Sequence, residues 1–212
     1  MSLETHSFWD GNLTHGFLLV ISNMALIPAI IYLAFRRDQI SALLLINTLI
    51  ASSLYHACRA GFLCWFRYEM HRTLDYISVY MAIIWMLTML GIRDMTLHVF
   101  AFFFCFIIAL FFILGEANQM LLPLVGIGVP MLVSLVHARL RHHKMFYRTG
   151  WSVATFVFAG IAGLFMFALP DRNYGWAHSI WHVFSMLATW TFAIAVTPLP
   201  RTREPRRKIN HT

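Results

Sequence analysis

The chain has 212 residues, of which 59% are hydrophobic and 12% charged, with a mean hydropathy of +0.68. That balance lies outside the range of a soluble domain, in which roughly a quarter of residues are charged, and it points to a polytopic membrane protein. The net charge of +7 sits in short loops and in the tail, which excludes a nucleic-acid binder.

A helix needs about 20 apolar residues to cross roughly 30 Å of hydrocarbon at about 1.5 Å per residue. Seven such stretches follow one another, so the expected fold is all-α, a seven-transmembrane helix bundle. The first runs from Gly16 to Phe35 and is ended by Arg36-Arg37-Asp38; the second runs from Ile40 to Ala60, and the third from Asp75 to Gly91. The fourth covers Thr96 to Leu114, inside a Phe-rich stretch that suits lipid contact or core packing. The fifth, Met120 to Ala138, contains Pro123 and Pro130 and is expected to kink. The sixth spans Trp151 to Leu169, and the seventh Trp176 to Val196. Short loops make neighbouring helices antiparallel and leave no room for a separate soluble domain. The expected division is residues 1–15 as an extracellular N-terminus, 16–197 as the membrane domain and 198–212 as a basic cytoplasmic tail.

An odd number of spans puts the termini on opposite sides. With the N-terminus outside, the cytoplasmic segments hold Arg36, Arg37, Arg93, Arg139, Arg141, Lys144, Arg148, Arg201, Arg203, Arg206, Arg207 and Lys208, twelve of the sixteen Lys/Arg residues. Only Arg59, Arg67, Arg72 and Arg172 fall outside, so the positive-inside rule selects this orientation. Met1 to His15 is polar, and the first apolar stretch is long enough to stay as an anchor rather than be cleaved as a signal peptide. Asn12-Leu13-Thr14 is a glycosylation sequon on the outer side but close to the first span, and Asn210-His211-Thr212 falls inside.

Within the spans, polar residues gather at one level. Ser52 and His56 are four apart and share a face near the outer end of the second helix; Asp75 begins the third helix and His178 and His182 begin the seventh, both from outside. A charged side chain at the centre of a span costs about 2.5–3.5 kcal/mol on insertion scales, so such groups face a cavity or one another. A lone His-x-x-x-His pair is weak evidence, because interfacial histidines also snorkel to the headgroups. Three histidines at one depth are stronger: His178 and His182 supply two metal ligands from one helical face, His56 supplies a third, and Zn2+ accepts this donor set. Ser52 and Asp75 stand beside it as the candidate catalytic groups if the site hydrolyses a substrate. His137, His142 and His143 lie in a basic loop and suit headgroup contact, and His71 and His98 have no convergent partner.

Cys58, Cys64 and Cys105 are too few for a disulfide framework. Each reads as a small apolar filler, with pairing of Cys58 and Cys64 near the oxidising face left open. Ala159-x-x-x-Gly163, with Gly160 beside it, gives the sixth helix a small-residue face for packing within the chain or against a second copy.

Ser-x-x-x-His in the second helix, Asp in the third and His-x-x-x-His in the seventh resemble the CREST superfamily of membrane hydrolases and receptors. That resemblance implies a zinc ion held by His56, His178 and His182, with Ser52 and Asp75 beside it. "YHACRAGFLCWFRYEMHRTLDYISVY" and "HSIWH" with its following apolar span and Pro198 are similar to the transmembrane protein 8 family, in its branch of muscle-cell fusion factors. Larger members carry an extracellular domain before the first span, where about 15 residues stand here. The resemblance implies a plasma-membrane protein that makes muscle precursor cells competent to fuse. Its partners would be membrane lipids, a second copy, and a fusion partner on the same or the opposing cell. The superfamily implies the alternative, a zinc-dependent amidase or phospholipase in which Asp75 is the base and Ser52 helps to hold the oxyanion. Vertebrate members of the fusion branch end in a cysteine cluster, whereas this tail, "PLPRTREPRRKINHT", is basic and has none.

Overall fold

The computed structural model describes residues 13–88, 148–167 and 174–197, with isolated positions 103, 107 and 136. Apart from those three positions, the fourth and fifth expected spans lie outside the described residues, as do Cys105, Pro123, Pro130, His98, His137, His142, His143, both sequons' asparagines and the basic tail.

The described residues are helical, with no strand among them. In chain order they form α1 (Leu13–Ser22), a 3-10 turn (Asn23–Leu26), α2 (Ile27–Phe35), α3 (Gln39–Arg59), α4 (Tyr68–Thr88), α5 (Thr149–Phe167) and α6 (Tyr174–Val196). Among the described residues, three segments are long and apolar enough to cross a membrane: Thr14–Phe35, Gln39–Arg59 and Gly175–Val196, with Thr149–Phe165 a shorter apolar helix.

The first span is not one regular helix as expected. Pro28 has no N–H to donate to the carbonyl of Met24, and that carbonyl instead accepts from Ile27, one residue tighter. The span therefore narrows to a 3-10 turn before α2. Asp38 caps α3: its carboxylate accepts from the Ser41 backbone N–H at 3.2 Å and from the Ser41 hydroxyl at 2.7 Å. α3 ends in a Schellman motif, with Gly61 at φ 79° donating to the Cys58 carbonyl and Phe62 donating to that of Ala57.

The third helix starts at Tyr68, not at Asp75. Its first two turns, "YEMHRTL", are too polar to register as a span, yet an acidic Glu69 in the first turn and a Glu69–Arg72 ion pair of 2.6 Å suit a helix start. Asp75 thus lies two turns inside the helix rather than at its tip.

Burial runs opposite to that of a soluble protein. Phe35 is 84% exposed, Leu43 63%, Phe156 64% and Leu164 62%, while Ser41, Thr48, Ser52, Ser78 and Thr191 are buried. Phe103 and Ile107, in the Phe-rich stretch, are also exposed. Apolar side chains outside and small hydroxyl residues between helices are the pattern of a bundle surrounded by lipid. Several hydroxyls bond back into their own helices, and some also cross: Thr48 to the Ser78 carbonyl at 3.0 Å, and Thr155 to Thr191 at 3.0 Å.

Two glycines bring helices together at the end where α3 terminates. A Cβ on Gly16 would run into the Cβ of Ala60, and one on Gly175 would meet the side chain of His15 at 2.6 Å. Close approach of backbone there brings α1, α3 and α6 to one level, and α4 starts at the same end after the loop. At the opposite end Leu26, Leu33, Leu45, Met86 and Met186 form an apolar core.

Candidate metal centre

His56 projects from the last turn of α3, and His178 and His182 from the first two turns of α6, one above the other on a single face. The three rings meet edge to face. Centroids are 5.2 Å apart for His56–His178, 4.9 Å for His56–His182 and 4.6 Å for His178–His182. One ligand nitrogen from each lies within 4.8 Å of the others, and the group could hold a metal ion.

Whether an ion suits this place is tested by the hydrogen bonds the rings make. His56 is 1% exposed, and neither Nδ1 nor Nε2 has a hydrogen-bond partner. A buried core histidine ordinarily satisfies at least one ring nitrogen, because an unpaired buried polar group costs about 1–3 kcal/mol. A metal ion would supply the missing partner. His182 is oriented instead: its Nδ1 lies 2.9 Å from the Ser22 hydroxyl. His178 and His182 both lean on Trp181, at 4.7 and 5.0 Å between centroids, and the Tyr55 ring stands tilted beside His56 at 4.8 Å. Three imidazoles in an apolar aromatic collar fit zinc, copper, iron or nickel, and disfavour the oxygen-seeking magnesium and calcium.

Ser52 sits one turn below His56 on the same face of α3 and is 4% exposed. Its side chain hydrogen-bonds the carboxyl of Asp75, which arrives from α4 and is 6% exposed, while Asp75 Oδ1 has no partner. The five residues expected at one level are therefore placed on three helices at one end of the bundle, with Asp75 tied to the histidine-bearing face through Ser52.

His71 stays apart from the cluster. It accepts the Phe66 N–H on Nε2 at 3.2 Å and serves the loop before α4. Cys58 and Cys64 form a disulfide across that same loop, with Cα atoms 4.5 Å apart, so the apolar-filler reading of these two does not hold. They meet because the Schellman turn at Gly61 folds the chain back on the last turn of α3. Sequence reasoning missed Ser22. Its signal was present, a Ser-Asn pair inside the otherwise apolar "FLLVISNMALIP", but nothing in the spacing says which ring it meets.

No curated protein matches the chain. A family model described as "Protein of unknown function (DUF3522)" matches residues 12–183, from the start of the first span to just past His182. Because that match covers well over half of the sequence and takes in all three histidines, the chain belongs to the DUF3522 family.

Proposed function

We propose that this protein is a myomaker-like fusion factor of the transmembrane protein 8 family: a seven-span plasma-membrane protein that makes muscle precursor cells competent to merge. His56, His178 and His182 hold zinc near the outer leaflet. The observation that carries the metal assignment is His56, buried with both ring nitrogens unpartnered and faced by two further imidazoles. The fusion role rests on the two sequence blocks around His56–Tyr80 and His178–His182. In this reading the ion clamps α3 to α6, and Asp75, bonded to Ser52, extends the clamp to α4.

The N-terminus faces outward and the tail the cytoplasm. The Lys/Arg distribution supports this, and so does the disulfide at the histidine end, since disulfides persist on the oxidising side. Epitope tags at both termini, stained before and after permeabilisation, test it: a C-terminal tag reached in intact cells overturns the orientation. The partners on this reading are the lipids around the exposed apolar faces, a protein on the same or the opposing cell, and a second copy of the chain. Ala159 and Gly160 are exposed on α5, which leaves room for the copy.

A second reading is favoured by one observation, the unpartnered Asp75 Oδ1 beside the cluster. Zinc, when bound, would serve as a Lewis acid towards a lipid amide or ester. Asp75 Oδ1 would then take the proton of the attacking water and pass it to the leaving amine or alcohol as the acyl C–N or C–O bond breaks; Ser52, which donates its hydroxyl to the Asp75 carboxylate, would orient that base rather than hold the oxyanion as expected. The two readings part in one experiment. Wild-type protein is expressed in cells that do not fuse alone, these are mixed with fusion-competent muscle precursors, and shared cytoplasm is scored beside zinc content and surface level. Surface-exposed, zinc-loaded protein that never promotes fusion, yet releases fatty acid from ceramide or a phospholipid, would establish the hydrolase instead.

A further inference from the structure

Ser22 stands on α1, a helix that contributes no candidate ligand, and yet it touches the cluster. Its Oγ lies 2.9 Å from His182 Nδ1 and 2.9 Å from the carbonyl of Leu19, and both Ser22 and His182 are buried. A hydroxyl has one proton and a carbonyl can only accept. The Leu19 carbonyl also takes a hydrogen bond from the His182 ring, which puts the ring proton on the nitrogen facing α1; with Nδ1–H on that side, Ser22 Oγ accepts from the ring while its own proton goes to Leu19. In a neutral imidazole a proton on Nδ1 leaves the lone pair on Nε2.

We infer that Ser22 is a positioning residue for the metal centre, fixing His182 in the tautomer and ring orientation that present Nε2 to the ion. The inference rests on the metal reading above. A ligating histidine commonly donates its other ring nitrogen to an oxygen acceptor, which sets its orientation and raises its basicity. The Leu19 bond adds a second level to this, because it fixes the Ser22 rotamer and so aims the accepting lone pairs at the ring. Thr48, Ser152, Ser179 and Thr189 also bond back to their own helices. Ser22 differs from these in meeting a histidine nitrogen on a helix 160 positions away in sequence. The bond also ties α1 to α6 just before the 3-10 turn, so a third element shares in setting the ligand geometry.

The test uses full-length protein purified with its zinc, then stripped and titrated with zinc against a competing chelator. Thermal unfolding of the metal-free form is measured in parallel. Ser22→Ala is expected to weaken zinc binding by about 10–100-fold, the range for loss of such an outer-shell partner. Ser22→Thr, which keeps the hydroxyl, restores most of the affinity. Thr48→Val removes a hydrogen bond of similar length that crosses between α3 and α4, two turns from His56; it lowers the metal-free melting temperature and leaves zinc affinity unchanged. If Ser22→Ala fails to fold, Ser22→Cys keeps the volume with a weak acceptor and shows the same loss. Ser22 variants that bind zinc as tightly as wild type overturn the inference and leave the metal reading standing. Wild-type protein that binds no zinc overturns both.

Discussion

Two buried polar clusters, one towards each end of the bundle, differ in how they are satisfied. At the end where α3 begins, Asp38 accepts from Ser41, and Ser41 in turn accepts the indole N–H of Trp85 at 2.8 Å, so a chain of three residues ties the N-cap of α3 to α4. At the other end, His56 and Asp75 are as deeply buried, but His56 has no hydrogen bond on either nitrogen and Asp75 has none on Oδ1. Other buried side chains, Asn23 and Tyr32 among them, also have polar atoms without a hydrogen bond; what sets His56 apart is that two further imidazoles stand within ligand reach of it. The histidine end is therefore the place for chemistry, and several substitutions test the difference between the two clusters.

The largest effect is expected from His182→Ala. It removes a ligand outright and leaves the Ser22 hydroxyl without its ring, so zinc falls from about one per chain to background, and surface expression falls with it. Elemental analysis of purified protein checks this, and wild type lacking any metal would sink the assignment of the whole site.

Next come Asp75→Asn and Ser52→Ala, which separate a catalytic from a structural centre. If the site hydrolyses lipid, Asp75→Asn keeps its zinc but loses about 10²–10⁴-fold in rate as the general base disappears, and Ser52→Ala loses less. If the centre is structural, as proposed, both variants reach the surface and still confer fusion. Loss of fusion by Asp75→Asn at normal zinc content and surface level would count against that proposal.

Ser41→Ala tests the opposite end. It removes the hydrogen bonds that Ser41 makes with the Trp85 N–H and with Asp38 Oδ2, two bonds at about 0.5–1.5 kcal/mol each and so about 1–3 kcal/mol of stability. Zinc stoichiometry should not move, because the substitution lies four helical turns from His56; a loss of metal here would show that the two ends are coupled. The smallest effect belongs to Arg72→Ala, which breaks the 2.6 Å pair with Glu69. Both side chains are largely exposed, at 44% and 66%, so the change in melting behaviour corresponds to about 0.5 kcal/mol or less.

Membrane character and the helical class followed from composition and span length alone, because hydrocarbon thickness dictates how many apolar residues a helix needs. The pair His178 and His182 was legible as well: a helical period of 3.6 residues puts positions four apart on one face wherever the helix goes. The site became a candidate on sequence only by supposing that three helices deliver their polar ends to one level, and the structure places His56, His178 and His182 within ligand reach of one another.

What the chain alone did not disclose depended on contacts between remote segments or on backbone groups. Asp75 was misplaced to a helix tip because a polar first turn carries no span signal, though its backbone hydrogen bonds are as helical as any other. The pairing of Cys58 with Cys64 needed the Gly61 turn, and the 3-10 interruption needed the missing N–H of Pro28 to be followed to its acceptor. Ser22 was hidden most completely. Period and hydropathy act along one helix and so are written in the sequence, whereas the meeting of a hydroxyl on α1 with a ring on α6 is decided by how closely two helices pack, here through Gly175 against His15.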